Sequence, residues 1–181
     1  ISKCIVVEGY GLSETSPVAI TNPTKGVNKP GSVGIPMPGT TIEIRSIEEP
    51  TRQMPMGERG EVCIRGPQVM KGYWDNPEET AKVLGDGVFR TGDVGYMDED
   101  GYVFLVDRLK DIIIAGGYKI YPRMVEEAIH EHPAVAEVTV IGVDDEYRGQ
   151  APKAFIRLKD GQSLTADELK AFLKDKLSAI E

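Results

Sequence analysis

Cysteine, histidine and tryptophan are scarce in this chain, with two, two and one copies among 181 residues. Cys4 and Cys63 lie far apart with no Cys-x-x-Cys pair, which excludes a disulfide framework and a zinc site built on paired thiolates. Both are expected as small apolar residues on strands. His130 and His132 fall near the end of a polar helical stretch and are expected on the surface rather than as ligands. Cations are also short: 21 Lys and Arg stand against 29 Asp and Glu, a net charge of −8. That balance excludes general binding to nucleic acid, because a phosphate-tracking surface needs an excess of basic side chains. Any bound polyanion must be met locally, by a metal, a few basic groups and backbone N–H donors. No signal sequence, apolar run of membrane-spanning length, internal repeat or low-complexity tract is present. Together with the scarce cysteine, this implies a reducing, cytoplasmic setting.

What is there suffices for a folded protein. Hydrophobic residues make up 40% and charged residues 28%, ordinary globular usage, and the length allows one domain or two small ones. The first two-thirds is rich in Gly and Pro, with β-type runs at 41–45, 60–65 and 101–106 separated by turn clusters, the pattern of a β-rich barrel or sandwich. A helix is expected over 77–84, capped by Asn76 with Pro77 in its first turn. From Lys110 the pattern changes to a β-type run at 111–115, a helix at 122–131, strands near 135–143 and 151–158, and a terminal helix over 166–180. This alternation predicts a small α+β layer, with a linker at 107–110. Cys4-Ile5-Val6-Val7 reads as a buried strand at the very start. Leu169, Phe172, Leu173, Leu177 and Ile180 share a helical face at the end, with no cap after them. The chain therefore reads as an excised piece of a longer one.

After the first strand comes Glu8-Gly9-Tyr10-Gly11-Leu12-Ser13-Glu14-Thr15-Ser16-Pro17. Glycines let a backbone approach a ligand, an aromatic offers a face to a base, a hydroxyl can bond a phosphate oxygen and a carboxylate can hold a hard cation. The same composition also suits an ordinary turn.

This segment resembles the Tyr-Gly-x-Thr-Glu motif of the adenylate-forming (AMP-binding) superfamily, which includes acyl-CoA synthetases, peptide-synthetase adenylation domains and beetle luciferases. The resemblance continues along the chain. Gly60-Glu61-Val62-Cys63-Ile64-Arg65-Gly66 with Gly72-Tyr73 looks like the family's Gly-Glu-Leu-x-x-x-Gly stretch and its later Gly-Tyr, and Phe89-Arg90-Thr91-Gly92-Asp93 like its Tyr/Phe-Arg-Thr-Gly-Asp motif. Asp107-Arg108-Leu109-Lys110-Asp111 and Gly116-Gly117-Tyr118-Lys119-Ile120-Tyr121-Pro122 look like its hinge and following glycine loop. Glu8-Gly9 and Tyr121-Pro122 are closer to the bacterial fatty acyl-CoA synthetases than to luciferases. Ser13 stands where the family usually has Thr, keeping the hydroxyl. Ile114 and Gly116 stand where some relatives have Lys, so lysine roles are not carried to them.

The resemblance implies a distorted β-barrel subdomain closing a large N-terminal domain (1–109), followed by a mobile α+β C-terminal domain (110–181). It implies an ATP-dependent acid–thiol ligase that makes acyl-AMP and passes the acyl group to coenzyme A. A carrier protein as acceptor, or a non-catalytic nucleotide-binding module, are the alternatives. Gly9, Tyr10, Gly11, Ser13, Asp93, Leu105 and Arg108 would contact ATP or AMP: Tyr10 on adenine, Ser13 on the phosphate, Asp93 on both ribose hydroxyls. For Arg108 the other reading is a surface ion pair with Asp107 or Asp111. Ser13 and Glu14 would serve catalysis, with Glu14 the Mg2+ ligand and Lys110 the hinge. Gly116, Gly117 and Tyr118 would line the passage for coenzyme A, although Gly-Gly is equally a hairpin turn. Partners would be a small carboxylic acid, ATP and coenzyme A, with peripheral membrane association of the parent left open. The family's phosphate loop and its Pro-Lys-x-x-x-Gly-Lys motif do not occur in these residues. Lys170, Lys174 and Lys176 carry no such motif, so the chain alone is expected to be inactive in adenylation.

Overall fold

The computed structural model describes residues 4–178. They divide into two compact units, Ile1–Leu105 and Val106–Glu181.

In the first unit, β1 (Gly9–Gly11), β2 (Val18–Thr21) and β3 (Ile35–Pro36) make an antiparallel sheet in that order. A second sheet holds β4 (Thr41–Arg45), β5 (Gly60–Arg65), β6 (Leu84–Gly85), β7 (Val88–Met97) and β8 (Val103–Arg108). Its order is β4-β5-β7-β6, with β8 also on β7. Helix α1 (Pro77–Val83) starts as its residues dictate: Asn76 Oδ1 accepts the Glu79 N–H at 3.1 Å and Pro77 fills the first turn. Ala19 and Ile20 from the first sheet and Ile42, Ile44, Val62, Ile64 and Val103 from the second share one buried core. No closed sheet is found among the described residues, so the expected barrel is not shown. Instead, short strands broken by Gly- and Pro-containing turns face a common core from two open sheets.

Three expectations for this unit are corrected. Residues 4–7 form no strand, and Ile5 and Val6 are 74% and 88% exposed. β1 is an edge strand whose pairing begins at Gly9, and an apolar run with no ladder beside it has nothing to be buried against. Cys4 is accordingly exposed and off any strand, while Cys63 is buried on β5. β8 begins at Val103 rather than 101, since Gly101 at φ 81° still belongs to the preceding turn. Burial pushes the Cys63 thiol up to about 12, leaving almost no thiolate at neutral pH. A thiol-alkylating reagent at pH 8 is therefore expected to modify Cys4 in the folded chain and Cys63 only after unfolding. Mass-spectrometric mapping of the adducts checks this.

In the second unit, β9 (Ile113–Ala115), β10 (Tyr118–Ile120), β11 (Val135–Asp145) and β12 (Gly149–Leu158) form an antiparallel sheet in the order β10-β9-β12-β11. Helices α2 (Pro122–His130) and α3 (Ala166–Leu173) complete the unit. Its core is Ile113, Ala115, Ile120, Val125, Ile129, Val135 and Val140, with Leu169, Leu173 and Leu177 packed against it. The terminal helix stops at Leu173, although Leu177 keeps its core contact from the turn that follows; Ile180 lies outside the described residues. His132 is half-buried rather than exposed, because its ring meets the Phe172 ring edge-on at 4.8 Å and its Nδ1 accepts the Ala134 N–H. His130 is exposed.

Of the expected linker, 107–110, Asp107 and Arg108 end β8 while Leu109 and Lys110 open a 3-10 turn. Asp107 has a second task. Helix α2 has no side-chain cap at Tyr121, and Asp107 Oδ2 instead accepts the Arg123 N–H at 2.9 Å while Oδ1 accepts the Arg108 N–H at 2.8 Å. Asp107→Ala is expected to cost the second unit about 1 kcal/mol, the usual worth of a lost helix cap. Asp107→Asn should retain most of it, as urea denaturation would show.

Candidate functional site

The site begins where β1 turns into β2. β1 pairs with β2 through Tyr10↔Ile20 and then, after a bulge, Gly11↔Val18. Between them Ser13–Thr15 form one 3-10 turn. The buried Thr15 hydroxyl fixes that turn, accepting the Leu12 N–H at 3.0 Å and lying 2.9 Å from the Pro17 carbonyl oxygen. Tyr10 and Leu12 pack onto the shared core, as does Leu105 from β8. The loop is thus anchored by its apolar members, leaving Ser13 exposed and Glu14 half-buried.

Two long-range contacts bring the motifs together. The Tyr10 hydroxyl donates to Asp93 Oδ2 at 2.6 Å across 83 residues of sequence. The Tyr73 hydroxyl donates to Glu14 Oε1 at 2.8 Å, and the Met70 N–H donates to the Glu14 carbonyl at 2.8 Å. The negative Glu14 carboxylate holds the Tyr73 phenol above its ordinary value, keeping it a donor. Gly9, Tyr10, Gly11, Ser13, Glu14, Asp93 and Leu105 therefore belong to one region of the first unit.

Asp93 is presented by an irregularity in β7. Glu61 pairs with Val94 and Cys63 with Arg90, so Val62 alone faces Thr91, Gly92 and Asp93. The extra residues push out of the ladder as a bulge, the device by which a strand re-aims a side chain. The bulge is braced from within. The Glu61 side chain, 3% exposed, meets Arg90 at 2.7 Å and accepts the Gly92 N–H at 3.1 Å. The Thr91 hydroxyl donates to the Val62 carbonyl at 2.8 Å and accepts the Asp93 N–H at 3.0 Å.

Sequence reasoning assigned no task to Glu61, Arg90, Thr91, Tyr73 or Thr15. One signal was available for Glu61: a carboxylate inside the apolar run 60–65 must be paired if the strand is covered on both faces.

The remaining candidates are in the second unit. Arg108 ends β8 and Lys110 is exposed in a 3-10 turn, Leu109–Asp111. Gly116 and Gly117 are the two-residue turn of the β9–β10 hairpin, at φ 57° and 86°, the left-handed pair such a turn requires. Tyr118 follows them, 59% exposed.

Residues 1–74 match the family model described as AMP-binding enzyme, and residues 124–181 match the one described as AMP-binding enzyme C-terminal domain. The chain belongs to the AMP-binding enzyme family. Among its AMP-binding relatives, the long-chain-fatty-acid–CoA ligase of Bacillus subtilis (strain 168) is 56% identical over 173 residues, 96% of this chain and 31% of that protein. ATP-bound MatB from Rhodopseudomonas palustris is similar in structure with a TM-score of 0.92 at 35% identity, covering 99% of this chain and 35% of that one. The o-succinylbenzoate CoA synthetase MenE from Bacillus subtilis, in complex with the acyl-adenylate OSB-AMP, has a TM-score of 0.84 at 33% identity, over 97% and 35% of the two chains. The chain thus spans about a third of the length of the AMP-binding proteins it matches.

Proposed function

We propose that this chain is the adenosine-holding and thiol-facing part of an ATP-dependent fatty acyl-CoA ligase. The observation that carries the reading is the meeting of Tyr10 and Asp93 at 2.6 Å, two motif residues remote in sequence that would both touch a nucleoside. The named fatty acid–CoA ligase relative supports the acid class.

In this reading Asp93 accepts both ribose hydroxyls, which a carboxylate with two oxygens can do. Tyr10 lies against adenine, Gly9 and Gly11 bring backbone close to the nucleotide, and Leu105 backs the nucleoside. Ser13 donates to the α-phosphate and Arg108 adds a charged donor to the ribose. Glu14 is the residue that would hold Mg2+. Its carboxylate oxygens suit a hard cation of the kind that takes one or two carboxylates plus substrate phosphates. Such an ion supplies neutralisation of phosphate charge.

The substrate carboxylate attacks the α-phosphorus of ATP, pyrophosphate leaves, and the thiol of coenzyme A then attacks the acyl carbon and expels AMP. The chain's residues contribute by positioning and by oriented donors. Gly116, Gly117 and Tyr118 line the thiol's approach, and Lys110 is the pivot on which residues 110–181 turn between the two steps.

Calorimetric titration of this chain with AMP is expected to give saturable binding, with ATP–pyrophosphate exchange at background. No AMP binding, or robust exchange, would overturn the reading.

A further inference from the structure

We infer that Thr91, backed by the buried Glu61, is a positioning residue that sets the ribose selectivity of this site through Asp93. The inference rests on the nucleotide reading above and adds residues for which that reading has no role. Asp93 stands on a bulge, and a bulge has no ladder of its own to hold it. Here the missing ladder is replaced by two side chains. The Thr91 hydroxyl stitches the bulge to β5 through the Val62 carbonyl and grips the Asp93 N–H. Glu61 takes the Gly92 N–H on Oε1 and the Arg90 guanidinium on Oε2.

Thr91 and Gly92 are therefore fixed from the strand behind, Asp93 is held through Thr91, and the Asp93 carboxylate is fixed in front by the Tyr10 hydroxyl. A carboxylate accepting two adjacent hydroxyls must hold its plane, because hydrogen bonds weaken steeply with misalignment. Burying a charged Glu61 to hold backbone is costly unless it is fully paired, as it is here.

Thr91→Val keeps shape and removes both hydrogen bonds; Thr91→Ser keeps both. The test is the affinity of the chain for AMP against an AMP analogue lacking both ribose hydroxyls. The native chain is expected to prefer AMP about 100-fold, from two hydrogen bonds to a charged acceptor of about 1.5 kcal/mol each. Thr91→Val is expected to cut the preference to about 3-fold, Thr91→Ser to restore it, and Glu61→Gln to fall between. A merely structural role would lower the melting temperature without moving that ratio. An undiminished preference in folded Thr91→Val overturns the inference alone. A native chain that binds neither nucleotide, or binds both equally, overturns the ribose-site reading and the inference with it.

Discussion

Replacing Asp93 by alanine is expected to weaken AMP binding about 100-fold, the largest loss from any single side chain in the site. Hydrogen bonds to a charged acceptor are worth roughly 1.5–3 kcal/mol each, so losing two gives about 3 kcal/mol or more. The half-buried carboxylate also receives the Tyr10 hydroxyl, which would then lose that acceptor. Asp93→Asn keeps one carbonyl oxygen and should lose only about 10-fold. The folded state should survive both changes, because the bulge is held through the Asp93 backbone and Thr91 rather than through the carboxylate. Calorimetry with parallel thermal melts checks the pair. Wild-type affinity in Asp93→Ala would remove Asp93 from the site.

Gly11→Ala is expected to damage the fold severely. A Cβ at Gly11 would lie 1.7 Å from the Pro17 carbonyl oxygen and 2.8 Å from the Val18 Cα. Both obstacles are backbone, so no rotamer change relieves them, and the bulged pairing of β1 with β2 must open. Overpacking of this kind costs about 3 kcal/mol, a fall of roughly 15 °C in the melting of a unit this size. Gly116→Ala provides the contrast. Nothing lies within 4 Å of its Cβ, so only the positive φ of 57° is penalised, at about 1 kcal/mol. If Gly11→Ala melts like the native chain, the tight β1–β2 approach does not exist in solution. Gly11 also shows that a glycine in a binding motif can be required by the protein's own backbone, whatever it does for a ligand.

Local elements were legible because their signals are local. Strands 41–45 and 60–65 read from β-type runs set between turn clusters, and Asn76-Pro77 announced α1 through capping chemistry that needs no distant partner. The family, too, was visible in the order and spacing of four motifs. Residues 4–7 misled because composition reports a wish to be buried, whereas burial needs a neighbouring strand. His132 misled likewise, since Phe172 reaches it only once α3 has folded back.

The sequence by itself therefore determined which residue types are available and in what order: an aromatic and a carboxylate around Gly11, an Arg-Thr-Gly-Asp stretch, a glycine pair. Only the tertiary structure decided that Tyr10 meets Asp93, that Tyr73 meets Glu14, and that Glu61 turns inward to hold Gly92. The reason is register. Each of these pairs is set by how one strand or turn lies against another far along the chain, and a bulge such as 91–93 arises only from the mismatch between two paired strands.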